Sequence, residues 1–271
     1  MQSVTVTDFE DPRIEIYRNL KDRELAGSMG RFIVEGRGNL LVLLQRSAYQ
    51  PESILLSPRT YASIETELRA LAPQCPVYVA DRPVFDRLVG FPIHRGCLAA
   101  CVREDVADPL ELARRALAKE GAPRLVVLEG LANLDNVGLI FRNAMAFGAR
   151  GILLCPKTCD PLYRKAIRTS MGGSLCVPFA RAKNFPEMLS GLQTLGYEVL
   201  AFHPSADSLP IGSLQPARLG PTALLFGTEG PGLSESALAA ASQQVRIEME
   251  PGVDSLNVGV AAGIGLSLLR L

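Results

Sequence analysis

Short apolar runs alternate with segments of helical period through the second half of the chain. Residues 125–128, 151–155, 199–202 and 223–226 are apolar runs of strand length, and 245–249 alternates apolar with charged positions; the five segments predict strands. Residues 137–147, 162–171, 186–195 and 235–241 lie between them and predict helices. In the first of these, Val137, Ile140, Ala144 and Phe147 fall on one face and Gly148 supplies a stop. Arg142 is two residues past Ile140, about 200° around the helix, so it points away from that face. Strands and helices taken in turn predict an α/β fold.

The first half is shorter in its periods. Residues 32–35, 53–56, 77–79 and 96–102 read as strands, and 59–71 and 83–88 as helices, together a small α/β sheet. Residues 103–122 are charged and Ala-rich and end in Gly121-Ala122-Pro123. They read as a helical linker. The predicted organisation is a small domain over 1–104, a linker over 105–122 and a larger α/β domain over 123–271, with no internal repeat.

Composition narrows the class. Of 271 residues, 48% are hydrophobic and 21% charged, as in a soluble globular protein. Residues 1–13 are polar and carry Asp8, Glu10 and Asp11. They do not read as a signal peptide, and a cytoplasmic protein is expected. The longest apolar stretch, 256–269, is interrupted by Gly259, Gly263 and Gly265 and falls short of the roughly 20 residues of a membrane span. The cysteine pairs 97/101 and 155/159 each enclose three residues, and His94 and His203 are the only histidines. Neither pattern is that of a zinc site, so no metal is expected. Net charge is zero, yet Arg142, Arg150, Lys157, Arg164, Lys165, Arg168, Arg181 and Lys183 stand against Asp160 alone between 142 and 183. That excess suits phosphates, or is a solvated basic face.

Three clusters carry candidate chemistry. Asn133-Leu134-Asp135-Asn136 precedes the 137–147 helix, where Asp and Asn are ordinary caps. Arg142, further in on the polar face, adds a group suited to an anion. Residues 227–232, Gly-Thr-Glu-Gly-Pro-Gly, follow a strand and precede a helix. Their glycine spacing fits neither the dinucleotide fingerprint nor the phosphate loop, and Glu229 suits a cationic ligand group better than phosphate. The alternative is a tight surface turn. Ser255-Leu256-Asn257 opens an almost uncharged helix. Ser255 reads as its cap and Asn257 as a buried amide in need of partners. Small residues at 259, 261, 262, 263 and 265 allow close helix packing, as at a dimer seam.

Together, residues 136–142, 225–234 and 247–249 with 255–258 resemble the three motifs of the SpoU (TrmH-type) branch of the SPOUT RNA methyltransferases. Arg168-Thr169-Ser170-Met171-Gly172-Gly173 with Val177-Pro178 resembles a further block of that family. The likeness covers about residues 124–271. It departs at Glu248 and Gly259, neither assigned to catalysis. Phe32 to Gly36 and His94-Arg95-Gly96 more loosely resemble the family's substrate-binding domain, related to RNA-binding ribosomal proteins.

The resemblance implies an α/β domain with a deep trefoil knot, a homodimer through that domain, and transfer of a methyl group from S-adenosylmethionine to a ribose 2′-hydroxyl of rRNA or tRNA. It implies Arg142 as the catalytic arginine, with Asn136, Glu229, Ser255 and Asn257 orienting it. Gly227, Ile247, Leu256, Met249 and Gly232 would hold the cofactor, and Arg164, Lys165, Arg168 and Ser170 would meet RNA. Two other readings remain: a knotted RNA-binding or ribosome-assembly protein without turnover, and a Rossmann-like nucleotide enzyme, which the glycine spacing disfavours.

Overall fold

The computed structural model describes residues 3–18, 21–71, 73–89, 96–103 and 108–270. The expectation for His94 and Arg95 lies outside them. The chain forms two compact units, one of Met1–Asp105 with Leu162–Cys176 and one of Val106–Pro161 with Val177–Leu271.

In the first unit, β1 (Ser3–Val6), β2 (Arg31–Glu35), β3 (Pro51–Leu56), β4 (Val77–Ala80) and β5 (Cys97–Val102) form a mixed sheet in the order β1-β4-β3-β5-β2. Helices α1 (Asp22–Ser28), α2 (Arg37–Arg46), α3 (Pro58–Leu71) and α4 (Arg82–Val89) connect the strands. Ile14, Tyr17, Ile33, Leu55, Phe85 and Leu98 share one core. The fully buried Tyr17 hydroxyl is satisfied by the carbonyl of Ser53 at 2.9 Å, with Ser53 Oγ at 2.7 Å, as a phenol in such a core must be.

The second unit opens with α5 (Pro109–Leu117), inside the stretch predicted to be a linker. That expectation is corrected: Leu112, Ala113 and Ala116 are buried in the unit's core. Tyr197 donates its hydroxyl to the carbonyl of Ala113 at 2.9 Å. Arg150 ties down the helix end through the carbonyls of Ala116, at 2.7 Å, and Lys119, at 3.0 Å. The sequence hid this because only one face of a short charged helix is apolar.

There follow β6 (Arg124–Leu128), α6 (Leu134–Phe147), β7 (Gly151–Leu154), α7 (Arg164–Thr169), α8 (Gly173–Cys176), β8 (Phe179–Arg181), α9 (Phe185–Thr194), β9 (Glu198–Phe202), β10 (Leu209–Pro210), β11 (Thr222–Phe226), α10 (Glu235–Ala239), β12 (Gln243–Arg246) and α11 (Val258–Leu268). Of these, α7 and α8 belong to the first unit, not to the domain predicted over 123–271. The seven strands of the second unit pair in parallel in the order β10-β12-β9-β11-β6-β7-β8. Strands β6 and β11 at its centre are buried along their whole length, which is why they read as unbroken apolar runs. Residues 245–249 were predicted as one strand, but pairing stops at Arg246. Ile247 and Met249 leave the sheet for the site described next.

Candidate active site

The parallel sheet delivers the carboxyl ends of β9, β11 and β12 to one edge, where ligands bind in open α/β folds. A cavity of about 440 Å³ lies there, walled by Phe202 and His203 at the end of β9, Phe226 to Gly230 at the end of β11, Val245 to Ile247 at the end of β12, and Ser255 to Val258 at the head of α11. The expected residues Gly227, Gly232, Ile247, Met249 and Leu256 all line it, as do Glu229, Ser255 and Asn257.

The glycine loop is a closed turn. The N–H of Thr228 donates to the carbonyl of Gly232 at 3.0 Å, and the Thr228 hydroxyl reaches the same oxygen at 3.2 Å. A Cβ on Gly227 would lie 2.3 Å from both the carbon and the oxygen of Gly232. No residue but glycine fits, because the obstacle is backbone. Ser234, just past the loop, gives its N–H to one Glu129 oxygen at 2.9 Å and its hydroxyl to the other at 2.7 Å. The loop is thereby fastened to the end of β6.

Three side chains from distant motifs meet. Asn136 Nδ2 donates to Glu229 Oε1 at 2.5 Å. Asn257 Nδ2 donates to Asn136 Oδ1 at 2.9 Å and to Glu229 Oε1 at 3.1 Å. Asn257 Oδ1 accepts from the N–H groups of Gly259, at 2.9 Å, and Val260, at 3.2 Å.

So Asn257, not Ser255, caps α11, and it is an exposed residue rather than a buried amide. Ser255 lies exposed on the cavity wall. Asn136 is likewise not a cap: Asn133 caps α6 through the N–H of Asp135 at 2.9 Å. This frees the buried Asn136 amide for Glu229.

The glycines of α11 pack closely on the chain's own side chains. A Cβ on Gly259 would come within 2.6 Å of Leu139, one on Gly263 within 2.9 Å of Asn143, and one on Gly265 within 2.6 Å of Phe202. Asn143 Nδ2 also donates to the carbonyl of Gly259 at 2.7 Å. Close packing on α6 and β9 holds Asn257 in register with Asn136.

A model of the SpoU rRNA methylase family matches residues 123–267. The chain belongs to that family. An uncharacterised tRNA/rRNA methyltransferase of Mycobacterium tuberculosis is 37% identical over 266 residues, covering 96% of this chain and 88% of its own length. Among solved structures, an AdoMet-bound rRNA methyltransferase from Sinorhizobium meliloti has the same fold, with a TM-score of 0.83, 23% identity and 99% and 97% of the two chains covered. An RNA 2′-O ribose methyltransferase aligns with a TM-score of 0.74 and 25% identity over 98% of each chain.

Within this SpoU chain, Arg142 is exposed and has no hydrogen-bond or ion-pair partner among the described residues. Other arginines of the basic segment are engaged. Arg181 donates to the carbonyls of Cys155, at 3.0 Å, and Thr158, at 2.5 Å. Arg164 pairs with Asp22 at 3.1 Å. Ser170 is fully buried, its hydroxyl bonded to the carbonyl of Ile167 at 2.9 Å. It therefore cannot be the surface contact expected of it. Arg168 and Lys165 are exposed, in the first unit.

Phe202, His203, Pro204 and Arg246 also line the cavity, though the sequence reading assigns none of them to the site. Their signal was positional, at the carboxyl ends of predicted parallel strands.

Proposed function

We propose that this chain methylates a ribose 2′-hydroxyl of rRNA or tRNA, with S-adenosylmethionine as methyl donor. The observation that carries the reading is the Asn136–Glu229–Asn257 cluster set against the cavity. The name and coverage of the 25%-identical 2′-O ribose methyltransferase support the acceptor, and those of the mycobacterial relative support the RNA class.

The donor set fits the cofactor. Phe202, Phe226, Met249 and Val258 offer apolar surface for an aromatic base. Glu229 brings a carboxylate where a sulfonium or ammonium is to be held, and the one arginine of the lining, Arg246, keeps its guanidinium on the carbonyl of Ala206 at 2.9 Å and on that of Ser208. His203 and Ser255 present polar side chains with no partner among the described residues. Bound there, S-adenosylmethionine supplies an electrophilic methyl group on a positively charged sulfur.

The chain's own residues do the rest. A guanidinium stays protonated at any working pH and makes a poor general base. Arg142 instead binds the RNA phosphate beside the target ribose and stabilises charge developing on the 2′-oxygen. Asn136, Glu229 and Asn257 brace α6, the glycine loop and α11 against one another, and Ser255 completes the wall. The 2′-hydroxyl distinguishes RNA from DNA. The family's trefoil knot is part of this proposal, supported by the parallel sheet whose terminal helix packs back on α6.

A homodimer is proposed as well. Val260, Ile264 and Leu268 follow at four-residue steps along α11, and Val260 and Leu268 are 45% and 50% exposed. An apolar stripe on an outer helix face suits a second copy of the chain.

The test is ribose-methylation mapping of rRNA and tRNA from cells with and without the gene, joined to methyl transfer by the purified protein. Loss of one 2′-O-methyl site, restored in vitro by the wild type and not by Arg142→Ala, is expected. Cofactor binding with no transfer to any cellular RNA would instead favour the binding or assembly protein without turnover.

A further inference from the structure

Helix α7 ends in a turn whose conformation does not suit its sequence. The N–H of Gly172 bonds the carbonyl of Ile167 at 3.1 Å, and that of Met171 bonds the carbonyl of Arg168 at 3.1 Å. This pair of bonds defines a Schellman cap with its left-handed residue at Met171. Met171 has φ +53°, the one positive φ at a non-glycine position among the described residues. Glycine ordinarily fills this place, because a Cβ there crowds the backbone.

The surroundings enforce the turn. Ser170 Oγ bonds the carbonyl of Ile167 at 2.9 Å and accepts from the N–H of Ser174 at 3.2 Å. A Cβ on Gly172 would meet Val42 at 2.8 Å. The methionine is 55% exposed, so the frame around the turn leaves much of it in solvent. A strained residue that a rigid frame holds out into solvent is a mark of function.

Lys165, Arg168 and Met171 follow at three-residue steps, and all three are exposed. They share one side of α7 and its final turn. We propose that Met171 is an RNA-contact residue, its thioether packing on the face of an unstacked base while Arg168 and Lys165 hold the flanking phosphates.

The inference rests on the RNA methyltransferase reading and extends it to a side chain that chooses unpaired over stacked nucleotides. Single-stranded loops and bulges are where RNA bases are splayed out for such contact, and sulfur packs favourably on aromatic rings. One apolar side chain beside two cations suits a base on a charged backbone. A protein partner would need an apolar centre depleted of charge within roughly 800 Å² per side.

The test compares wild type, Met171→Gly and Met171→Leu in methyl transfer to total RNA from cells lacking the gene, with thermal melting and filter retention of the same RNA. Glycine relieves the strained φ, so melting should rise by about 1–4 °C. The KM for RNA should nonetheless rise roughly 2- to 10-fold, the range of a lost sulfur–aromatic contact. Leucine keeps the apolar bulk without the sulfur, so its KM should fall between those of the wild type and Met171→Gly, and it should melt no higher than the wild type.

An unchanged KM and retention for Met171→Gly would overturn the proposal. So would unchanged RNA retention accompanied by a shift in oligomeric state, which would assign the patch to a second copy of the chain. If the wild type itself transfers no methyl group, the enzymatic reading fails, and filter retention still decides the role of Met171.

Discussion

Asn136 and Glu229 are 93 positions apart in sequence, and their side chains meet at 2.5 Å. The amide comes from the first turn of a helix that follows one central strand, and the carboxylate from the loop that follows the neighbouring one. Parallel pairing of β6 with β11 brings them together, Leu128 lying opposite Phe226. Asn257 then closes the cluster while capping α11.

Removing the shared acceptor should therefore cost more activity than stability. Glu229→Ala strands the buried Asn136 amide and unhooks Asn257. The glutamate is exposed, so the change in folding free energy should stay at about 1 kcal/mol, the net contribution of a typical hydrogen bond. Methyl transfer should fall at least about ten-fold as the three motifs lose their bracing. Calorimetric melting beside single-turnover rates checks the two together; a loss of stability with no loss of rate would refute the bracing role.

Gly227→Ala acts by a different route. The added methyl meets the backbone of Gly232 at 2.3 Å, which cannot turn aside as a side chain could. Overpacking of this kind costs about 1–3 kcal/mol, and here it opens the loop that walls the cavity. Cofactor affinity measured by isothermal calorimetry should drop about ten-fold or more. Wild-type affinity would mean that the loop does not wall the site.

The basic segment separates into two classes by its partners. Arg164→Gln removes an ion pair with Asp22 in which both side chains are about four-fifths covered, and should lower stability by up to about 1 kcal/mol. Arg168→Gln removes an exposed cation and should reduce the salt dependence of RNA binding by about one counterion. Filter binding at several salt concentrations, set beside thermal melts of each variant, distinguishes them. An unchanged slope for Arg168→Gln would leave the face merely solvated.

Alkaline pH should weaken the fold before it affects the site. Burial raises the thiols of Cys75 and Cys159 to about 11 and that of Cys97 to about 12. Between the unfolded value near 9 and those folded values, the unfolded chain has released protons that the native chain retains. Stability is therefore intact below about pH 9 and falls as pH rises toward 11–12. Melting temperature against pH, repeated with Cys97→Ala, checks this: the variant should lose part of the alkaline slope. In the native state Cys97 should react with a thiol reagent far more slowly than in denaturant, since the thiolate is the reactive form.

How far the sequence could be read follows from what each signal depends on. Strands β6, β9 and β11 were legible because burial on both faces leaves an unbroken apolar run. Helix α6 and its Gly148 stop were legible from period and composition; Gly148 does take up φ +74°. Helix α5 is legible as a helix but reads as a linker, because charges on its open face mask four buried positions, Pro109, Leu112, Ala113 and Ala116. The strand predicted over 245–249 ended early because its apolar residues face a cavity instead of a sheet, and a run of residues cannot tell those two burials apart.

The candidate site divides in the same way. By itself the sequence determined which residue types were present: an arginine on the polar face of α6, a carboxylate among glycines, and an amide at the head of an uncharged helix. These are local properties of composition and spacing. Tertiary structure alone decided that Asn136, Glu229 and Asn257 share hydrogen bonds, that Arg164 and Arg181 are engaged and Arg168 exposed, that Ser170 is buried, and that the α11 glycines face α6 and β9. Each of those depends on which distant segment lies opposite, and that is fixed by parallel strand pairing and close helix packing rather than by any neighbour in sequence.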